Sequence, residues 1–125
     1  MKLKEKIVYF WNAKLNPFYQ QSNFYRLVRK ITSEQLSMPL RKVNYETNLV
    51  DVSNEDFETI ISRTYKELNK EPTKQIVKDT FDYYENMHRG YYFGPFAEAC
   101  EIMYCKNFNI PISNELQKNL HARQK

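Results

Sequence analysis

Residues 53–68 read SNEDFETIISRTYKEL, and this stretch decides the fold class of the chain. The Ser53 hydroxyl can accept a hydrogen bond from the free amides of a helix N-terminus. Glu55 and Asp56 follow it, where acidic side chains favour the positive end of the helix dipole. Apolar side chains then recur at helical spacing, at Phe57, Ile60, Ile61, Tyr65 and Leu68. The pattern predicts an amphipathic helix.

The same periodicity continues toward the C-terminus. Pro72 suits the first position of a further helix, and Gly90 is a natural stop after it. Pro95 opens the next helix, the segment 109–111 breaks it, and Ser113 caps a last short helix. The predicted inward positions of these three helices are Ile76, Val77, Phe81, Tyr84 and His88, then Phe96, Ala99, Cys100, Met103 and Tyr104, and finally Leu116 and Leu120.

Two more helices are predicted toward the N-terminus. The first covers residues 2–15 and ends at Asn16, because a residue that precedes proline is pushed out of the α region. The second begins after Ser22, a plausible N-cap. Thr32 and Gln35 have the spacing of a capping box, so we expect this helix to break near residue 32 and restart.

Residues 40–52, LRKVNYETNLVDV, have no helical stripe. Val43, Tyr45 and Thr47 alternate as in a β-strand, but no Asn-Gly or Asp-Gly turn is present, so an irregular loop is an equal alternative to a hairpin. We expect a mainly α fold over a single domain, residues 1–125. It would be a compact bundle of five or six short helices, with a small β-hairpin or extended segment near 40–52 left open and a winged-helix-like variant as the minor alternative.

Composition narrows the function classes. The chain has 125 residues, of which 42% are hydrophobic and 27% charged, a balance typical of globular proteins. It has two glycines, so it has no Gly-rich phosphate-binding loop. No apolar run approaches the roughly 20 residues that span a bilayer, and the run 7–11 is too short for a signal sequence. We therefore expect a cytoplasmic protein that does not associate with membranes.

Catalytic and metal-binding signatures are missing from the sequence. The potential soft metal ligands lack the closely spaced pairs of a zinc site; they are His88, Cys100, Cys105 and His121. Cys100 is predicted to face the core, where burial makes a thiol unreactive. We predict that the protein is not an enzyme and has no catalytic residues, no metal and no cofactor.

Charge is distributed unevenly along the chain. Residues 1–45 hold nine Lys or Arg and two acidic residues. Residues 46–105 hold six Lys or Arg and twelve acidic residues, and residues 106–125 hold four Lys or Arg and one acidic residue. The net charge of +4 therefore hides a basic, an acidic and a second basic segment. Segments of opposite charge create electrostatic fields that attract partners of the opposite charge to the surface. They also permit self-association between oppositely charged surfaces.

The basic first third of the chain is also rich in aromatic residues. Proteins that bind single-stranded nucleic acids need this mixture, because cations neutralise phosphates and ring faces stack on bases. The alternative is that the aromatic rings fill the core and the Lys and Arg side chains form an ordinary solvated face. The first hypothesis is therefore a small accessory protein that contacts nucleic acid, single-stranded and without sequence specificity, together with a larger protein partner. Its predicted nucleic-acid-binding residues are Lys14, Arg26, Arg29, Lys30, Arg41 and Lys42 on phosphates, and Trp11, Tyr19 and Tyr25 on bases.

The second hypothesis is a protein–protein inhibitor or adaptor. The acidic region 46–71 would meet a basic partner, unless it is simply a solvated face. The aromatic segment 91–96, YYFGPF, would anchor the partner, unless its rings are tucked into the core. The predicted partner-binding residues are Glu55, Asp56, Glu58, Tyr91, Tyr92 and Phe93. Abundant Lys, Asn, Ile and Tyr, which have AT-rich codons, favour an accessory protein of a phage or other mobile element.

Overall fold

A computed structural model describes residues 19–123 of the chain. The elements over this range are five α-helices, α1 (Asn23–Gln35), α2 (Asn54–Glu67), α3 (Lys74–Asn86), α4 (Phe93–Phe108) and α5 (Asn114–Arg123), and two 3₁₀ turns, Tyr19–Gln21 and Leu40–Lys42. No strand forms within it. The prediction of a mainly α bundle is confirmed. The helix predicted over 2–15, with Trp11 and Lys14, lies outside the described residues.

Side-chain caps begin three of the helices where the sequence places them. The Ser22 hydroxyl accepts the Tyr25 amide at 3.0 Å, and the Ser53 hydroxyl accepts the Asp56 amide at 3.1 Å. A third bond of this kind, from the Leu116 amide to the Ser113 hydroxyl at 3.1 Å, begins α5. Each bond satisfies an amide that has no partner inside its own helix, which explains why local sequence fixes these starts.

Other predicted helix starts are wrong by a few residues. Helix α3 begins at Lys74 and not at Pro72, because the Thr73 hydroxyl accepts the Ile76 amide at 3.2 Å and acts as the cap. Helix α4 begins at Phe93, two residues before Pro95. Helix α1 does not break near Thr32, whose side chain is fully buried and faces the core without forming a capping bond.

The end of α3 also differs from its prediction. The helix stops at Asn86, four residues before Gly90. His88 takes a left-handed conformation with φ of 54° beyond the helix, and its side chain is exposed, so it does not belong to the inward face. Gly90 likewise has a positive φ, 78°. The chain therefore turns over 87–92 before α4 begins.

The segment 40–52 pairs with the start of α4 and forms no hairpin. An isolated antiparallel bridge joins Asn48 and Tyr92. Beside it, the Leu49 amide donates to the Tyr91 carbonyl at 2.6 Å and the Phe93 amide donates to the Thr47 carbonyl at 2.9 Å. The start of α4 has free amides that need acceptors, and the extended segment supplies them.

Helix α4 lies at the centre of the bundle that residues 19–123 form. It packs against α1 and α3, while α1 also packs against α2, α2 packs against α3, and α5 packs against the turn 19–21. Every residue from Phe93 to Glu101 is buried. Rings of neighbouring elements meet over this helix, where Phe96 lies 5.1 Å from Phe57 and 5.2 Å from Tyr84 between ring centroids. Most of the aromatic rings between residues 19 and 123 therefore fill one core.

Candidate functional site

Arg29 holds the turn 40–42 against α1. Its Nε donates to the Val43 carbonyl at 2.5 Å, and its Nη2 donates to the Leu40 carbonyl at 2.8 Å. Nearby, the Ser33 hydroxyl donates to the Met38 carbonyl at 2.5 Å. These bonds link one helix face to backbone that is up to 14 positions away in sequence.

These bonds bring exposed Lys and Arg side chains from two segments onto neighbouring parts of the surface. Arg26 and Lys30 lie three residues before and one residue after Arg29 on α1, and Arg41 and Lys42 lie between the two carbonyls that Arg29 binds. We call Arg26, Lys30, Arg41 and Lys42 the basic face; all four are exposed.

The side chains of the basic face take part in no ion pair with the described residues. Over the described part of the first 45 residues the one acid is Glu34. Its carboxylate pairs with Arg63 of α2 at 2.6 Å.

The structure corrects three predictions for nucleic-acid-binding residues. Tyr19 and Tyr25 are 0% and 2% exposed, so their rings cannot stack on a base in this fold. Tyr25 shares a helix face with Val28 and packs its ring 5.3 Å from that of Phe93. The guanidinium of Arg29 binds backbone carbonyls and supports the basic face from beneath.

The predicted partner-binding residues divide in the same way. Glu55 and Glu58 are exposed on α2, while the Asp56 carboxylate accepts a bond from the Gln35 amide at 3.0 Å. Tyr91 and Tyr92 are each 39% exposed. Phe93, in contrast, is fully buried, so its prediction as a partner contact is wrong; it is the first residue of the central helix.

A groove of about 930 Å³ runs between α2 and α3. The two helices are joined by the short segment 68–73 and pack against each other, so they run antiparallel. The start of α2 therefore lies beside the end of α3. This gives the groove an acidic end, lined by Glu55, Glu58, Asp82 and Glu85, and a basic end, lined by Arg63, Lys66, Lys74 and Lys78.

A smaller pocket of about 290 Å³ lies at the end of α3, next to the acidic end of the groove. It is lined by Tyr84, Glu85, His88, Gly90 and Tyr91, and we call it the Tyr91 pocket. The rings of Tyr84 and Tyr91 stand at 87° to each other with centroids 5.9 Å apart. The Tyr91 hydroxyl donates to Glu85 Oε2 at 2.8 Å.

A buried ionic cluster lies beneath the segment 40–52. Glu98 of α4 is fully buried and forms an ion pair with Arg89, Nη1 to Oε2, at 3.1 Å. The Tyr45 hydroxyl donates to the same carboxylate oxygen, and Arg89 Nη2 donates to the Tyr45 hydroxyl at 2.8 Å. The sequence alone does not predict this cluster, although an acid at position 98 within the apolar run of α4 is a signal of it.

Burial and charge act together on this cluster. Burial and the Glu98 carboxylate raise the pKa of Tyr45, so its hydroxyl stays protonated. Burial lowers the pKa of Arg89, but its interactions with Glu98 and Tyr45 have the larger combined effect, so the pKa of Arg89 is raised. Tyr45 therefore stays protonated and Arg89 stays charged at neutral pH.

A second buried acid lies one turn further along α4. Glu101 is 2% exposed, and its Oε2 accepts the Ser113 amide at 2.8 Å. Burial raises the pKa of Glu101 although the Ser113 amide opposes the shift, and Glu115 and Glu98 raise it further. Its other oxygen has no hydrogen-bond partner among the residues described.

The two cysteines are free and buried. Burial raises the pKa of Cys105 to about 11 and that of Cys100 well above its usual range. A thiol reacts as its thiolate, so neither is activated. Within residues 19–123, no three His, Cys, Asp or Glu side chains converge in a way that could hold a metal ion.

Comparisons with known proteins identify no relative. No protein-family model, curated protein or solved structure matches this chain. None of the helices between residues 19 and 123 is both long and apolar enough to cross a membrane. Functional inference therefore rests on the surfaces described above.

Proposed function

We propose that this protein is a small accessory protein that contacts the phosphates of nucleic acid through the basic face. The observation that carries the proposal is the pair of bonds by which Arg29 holds the turn 40–42 on α1. These bonds hold the turn against α1, and the two elements are in contact. The four exposed basic side chains therefore belong to neighbouring parts of the surface, from which they can engage phosphates of one strand.

Binding of this kind depends mainly on charge. Each phosphate that a protein cation neutralises releases condensed counterions, so the binding constant falls steeply with salt concentration. Four such contacts correspond to a log–log salt slope of about −3.6 on duplex DNA and about −2.8 on a single strand. Phosphates carry no sequence information, so we expect little preference between sequences.

The choice between single and double strands depends on stacking. The two predicted stacking rings within 19–123 are buried, so they give no advantage to unpaired bases. The phosphate contacts remain, and titration of both kinds of oligonucleotide measures the strand preference.

The test is fluorescence anisotropy of labelled single- and double-stranded DNA at several salt concentrations. The diagnostic variant combines Arg26→Gln, Lys30→Gln, Arg41→Gln and Lys42→Gln, which changes only exposed side chains. Its matched control combines Lys66→Gln, Lys74→Gln, Lys78→Gln and Lys106→Gln, which removes the same charge from exposed positions elsewhere. Arg29 is left unchanged in both, so the turn keeps its support.

We expect the unmodified protein to bind, with a salt slope that the diagnostic variant nearly abolishes and the control largely keeps. Equal weakening by both sets would mean that overall charge, and not the basic face, drives binding. Absence of binding at low salt would overturn the proposal.

A further inference from the structure

We propose that the Tyr91 pocket binds an alkylammonium group, such as the side chain of lysine or its methylated forms. This inference does not depend on nucleic-acid contact, because the pocket and the basic face share no residue. It assigns a chemical class of ligand to a site formed by the end of α3 and the loop that follows.

The Tyr91 ring suits an organic cation. Aromatic faces carry negative charge density, which attracts a cation that lies over the ring. Tyr84 and Tyr91 stand at 87° with centroids 5.9 Å apart. Tyr84 is 2% exposed and packs against Phe57 and Phe96. Its hydroxyl donates to the Tyr92 carbonyl at 3.1 Å, so Tyr84 supports Tyr91 rigidly. Tyr91 is 39% exposed and supplies the accessible aromatic face.

The charge of the pocket has the matching sign. Glu85 lines it, and the Tyr91 hydroxyl binds Oε2 at 2.8 Å, which orients the carboxylate and leaves Oε1 for a ligand. Arg89 follows His88 in sequence, but its guanidinium points into the core toward Glu98. None of the ion pairs formed between residues 19 and 123 involves Glu85. The pocket therefore combines the exposed Tyr91 ring with a Glu85 carboxylate that forms no ion pair with the described residues.

The neighbouring groove favours a cation carried by a polypeptide. Glu85 lines both the Tyr91 pocket and the acidic end of the groove between α2 and α3. A chain lying in the groove could place a lysine in the pocket while its other end meets the basic residues of the groove. A free quaternary amine would use the pocket alone, so the two sources can be distinguished.

The test is two-dimensional NMR of ¹⁵N-labelled protein, with the amides of Gly90 and Tyr91 as reporters. The probes are choline, its neutral isostere 3,3-dimethylbutan-1-ol, Nα-acetyl-lysine amide and the trimethylated form of that amide, all at matched ionic strength. We expect the charged probes to shift the reporter amides and the neutral isostere to leave them unchanged. A response to choline alone supports the site and assigns it to small amines, whereas a response to the lysine amides assigns it to a polypeptide.

Matched variants separate the pocket from general surface binding. Tyr91→Ala removes the exposed ring and should weaken binding by about tenfold, and Glu85→Gln should weaken it to a similar extent. Tyr83→Ala removes a ring that is 38% exposed on the same helix but lies outside the pocket, and Glu55→Gln removes a groove acid that does not line the pocket. Both controls should bind as the unmodified protein does.

All four substitutions are at exposed positions, so failure to fold does not obscure the result. Equal binding of choline and its neutral isostere would overturn the proposal. So would a Tyr91→Ala variant that binds as tightly as Tyr83→Ala, or reporter amides that no charged probe moves.

Discussion

The Tyr45 hydroxyl donates a hydrogen bond to the Glu98 carboxylate in the core, although the two residues lie 53 positions apart in the sequence. Arg89 completes the arrangement by bonding to both. The segment 40–52, the loop before α4 and α4 itself are thereby joined at one point. Since α4 is the central helix, this cluster helps to set how the two connecting segments lie on the bundle.

Arg89→Met should destabilise the protein strongly, because it leaves the Glu98 carboxylate buried without a counter-charge. Removing one partner of a buried ion pair costs about 3–5 kcal/mol, and the 28% exposure of Arg89 favours the lower end of that range. Urea unfolding followed by circular dichroism measures the loss. Arg41→Met is the control and should change stability by less than about 0.5 kcal/mol.

The double variant Arg89→Met with Glu98→Gln should recover part of that loss, because it removes the isolated charge as well. A double variant no more stable than Arg89→Met alone would mean that packing of the arginine, and not charge, accounts for the effect.

Gly94→Ala should destabilise the protein, because a Cβ at this position would collide with the Tyr45 ring. The Gly94 amide also bonds the Tyr45 carbonyl at 2.9 Å, so the backbone cannot simply move away. Overpacking of this kind costs about 1–3 kcal/mol. In a Tyr45→Ala background the ring is gone, and the added cost of Gly94→Ala should largely disappear. Additive losses in urea unfolding would contradict the collision.

Glu101→Gln should flatten the pH dependence of stability. Because burial raises the pKa of Glu101, the folded protein holds this proton more tightly than the unfolded chain does. Its contribution is therefore full below the usual carboxyl pKa of 4.5 and is lost as pH rises through the raised value. The free energy of unfolding, measured in urea across this range, should fall less steeply in the variant. Some slope will remain, since burial also raises the pKa of Glu46. Identical slopes would show that Glu101 does not titrate abnormally.

Neither cysteine should react with a thiol reagent in the folded protein at neutral pH. Both are buried, and the raised pKa values leave little thiolate. A colorimetric disulfide reagent should modify both thiols only after denaturant is added. Fast labelling of either residue in the native protein would contradict the burial described here.

Arg29→Met should loosen the turn 40–42 without unfolding α1, because it removes both bonds that hold the turn. Hydrogen exchange of the Val43 amide, which bonds the Leu40 carbonyl at 3.0 Å, should accelerate. The amide of Ile31, buried on the opposite side of α1, serves as the internal reference and should exchange as before. Acceleration at both amides would indicate that Arg29 stabilises the whole helix.

Helix positions were predictable because their causes are local. Ser22, Ser53 and Ser113 each bond an amide three residues ahead, so the sequence itself reveals where these helices begin. The start of α3 also has a local cause, since Thr73 and not Pro72 marks it with a capping bond. The start of α4 does not, because no side chain caps this helix and its first amides bond the carbonyls of Thr47 and Tyr45.

Roles of individual side chains were less predictable because they depend on distant segments. Tyr25 has the composition of a stacking residue, and only the packing of α1 on α4 places its ring against Phe93. Tyr91 and Phe93 belong to one aromatic run, yet one is 39% exposed and the other fully buried. The backbone turn before α4 separates them, and no periodicity signals it.

The amino-acid sequence by itself determined the mainly α fold, since apolar spacing and capping residues act over a few positions. Tertiary structure alone decided which rings fill the core, how Arg29 holds the turn 40–42 against α1, and where Tyr45 contacts Glu98. Those outcomes depend on contacts between segments that are far apart in the sequence. Burying a polar group costs free energy unless another group forms a hydrogen bond with it, and that group can come from a distant segment.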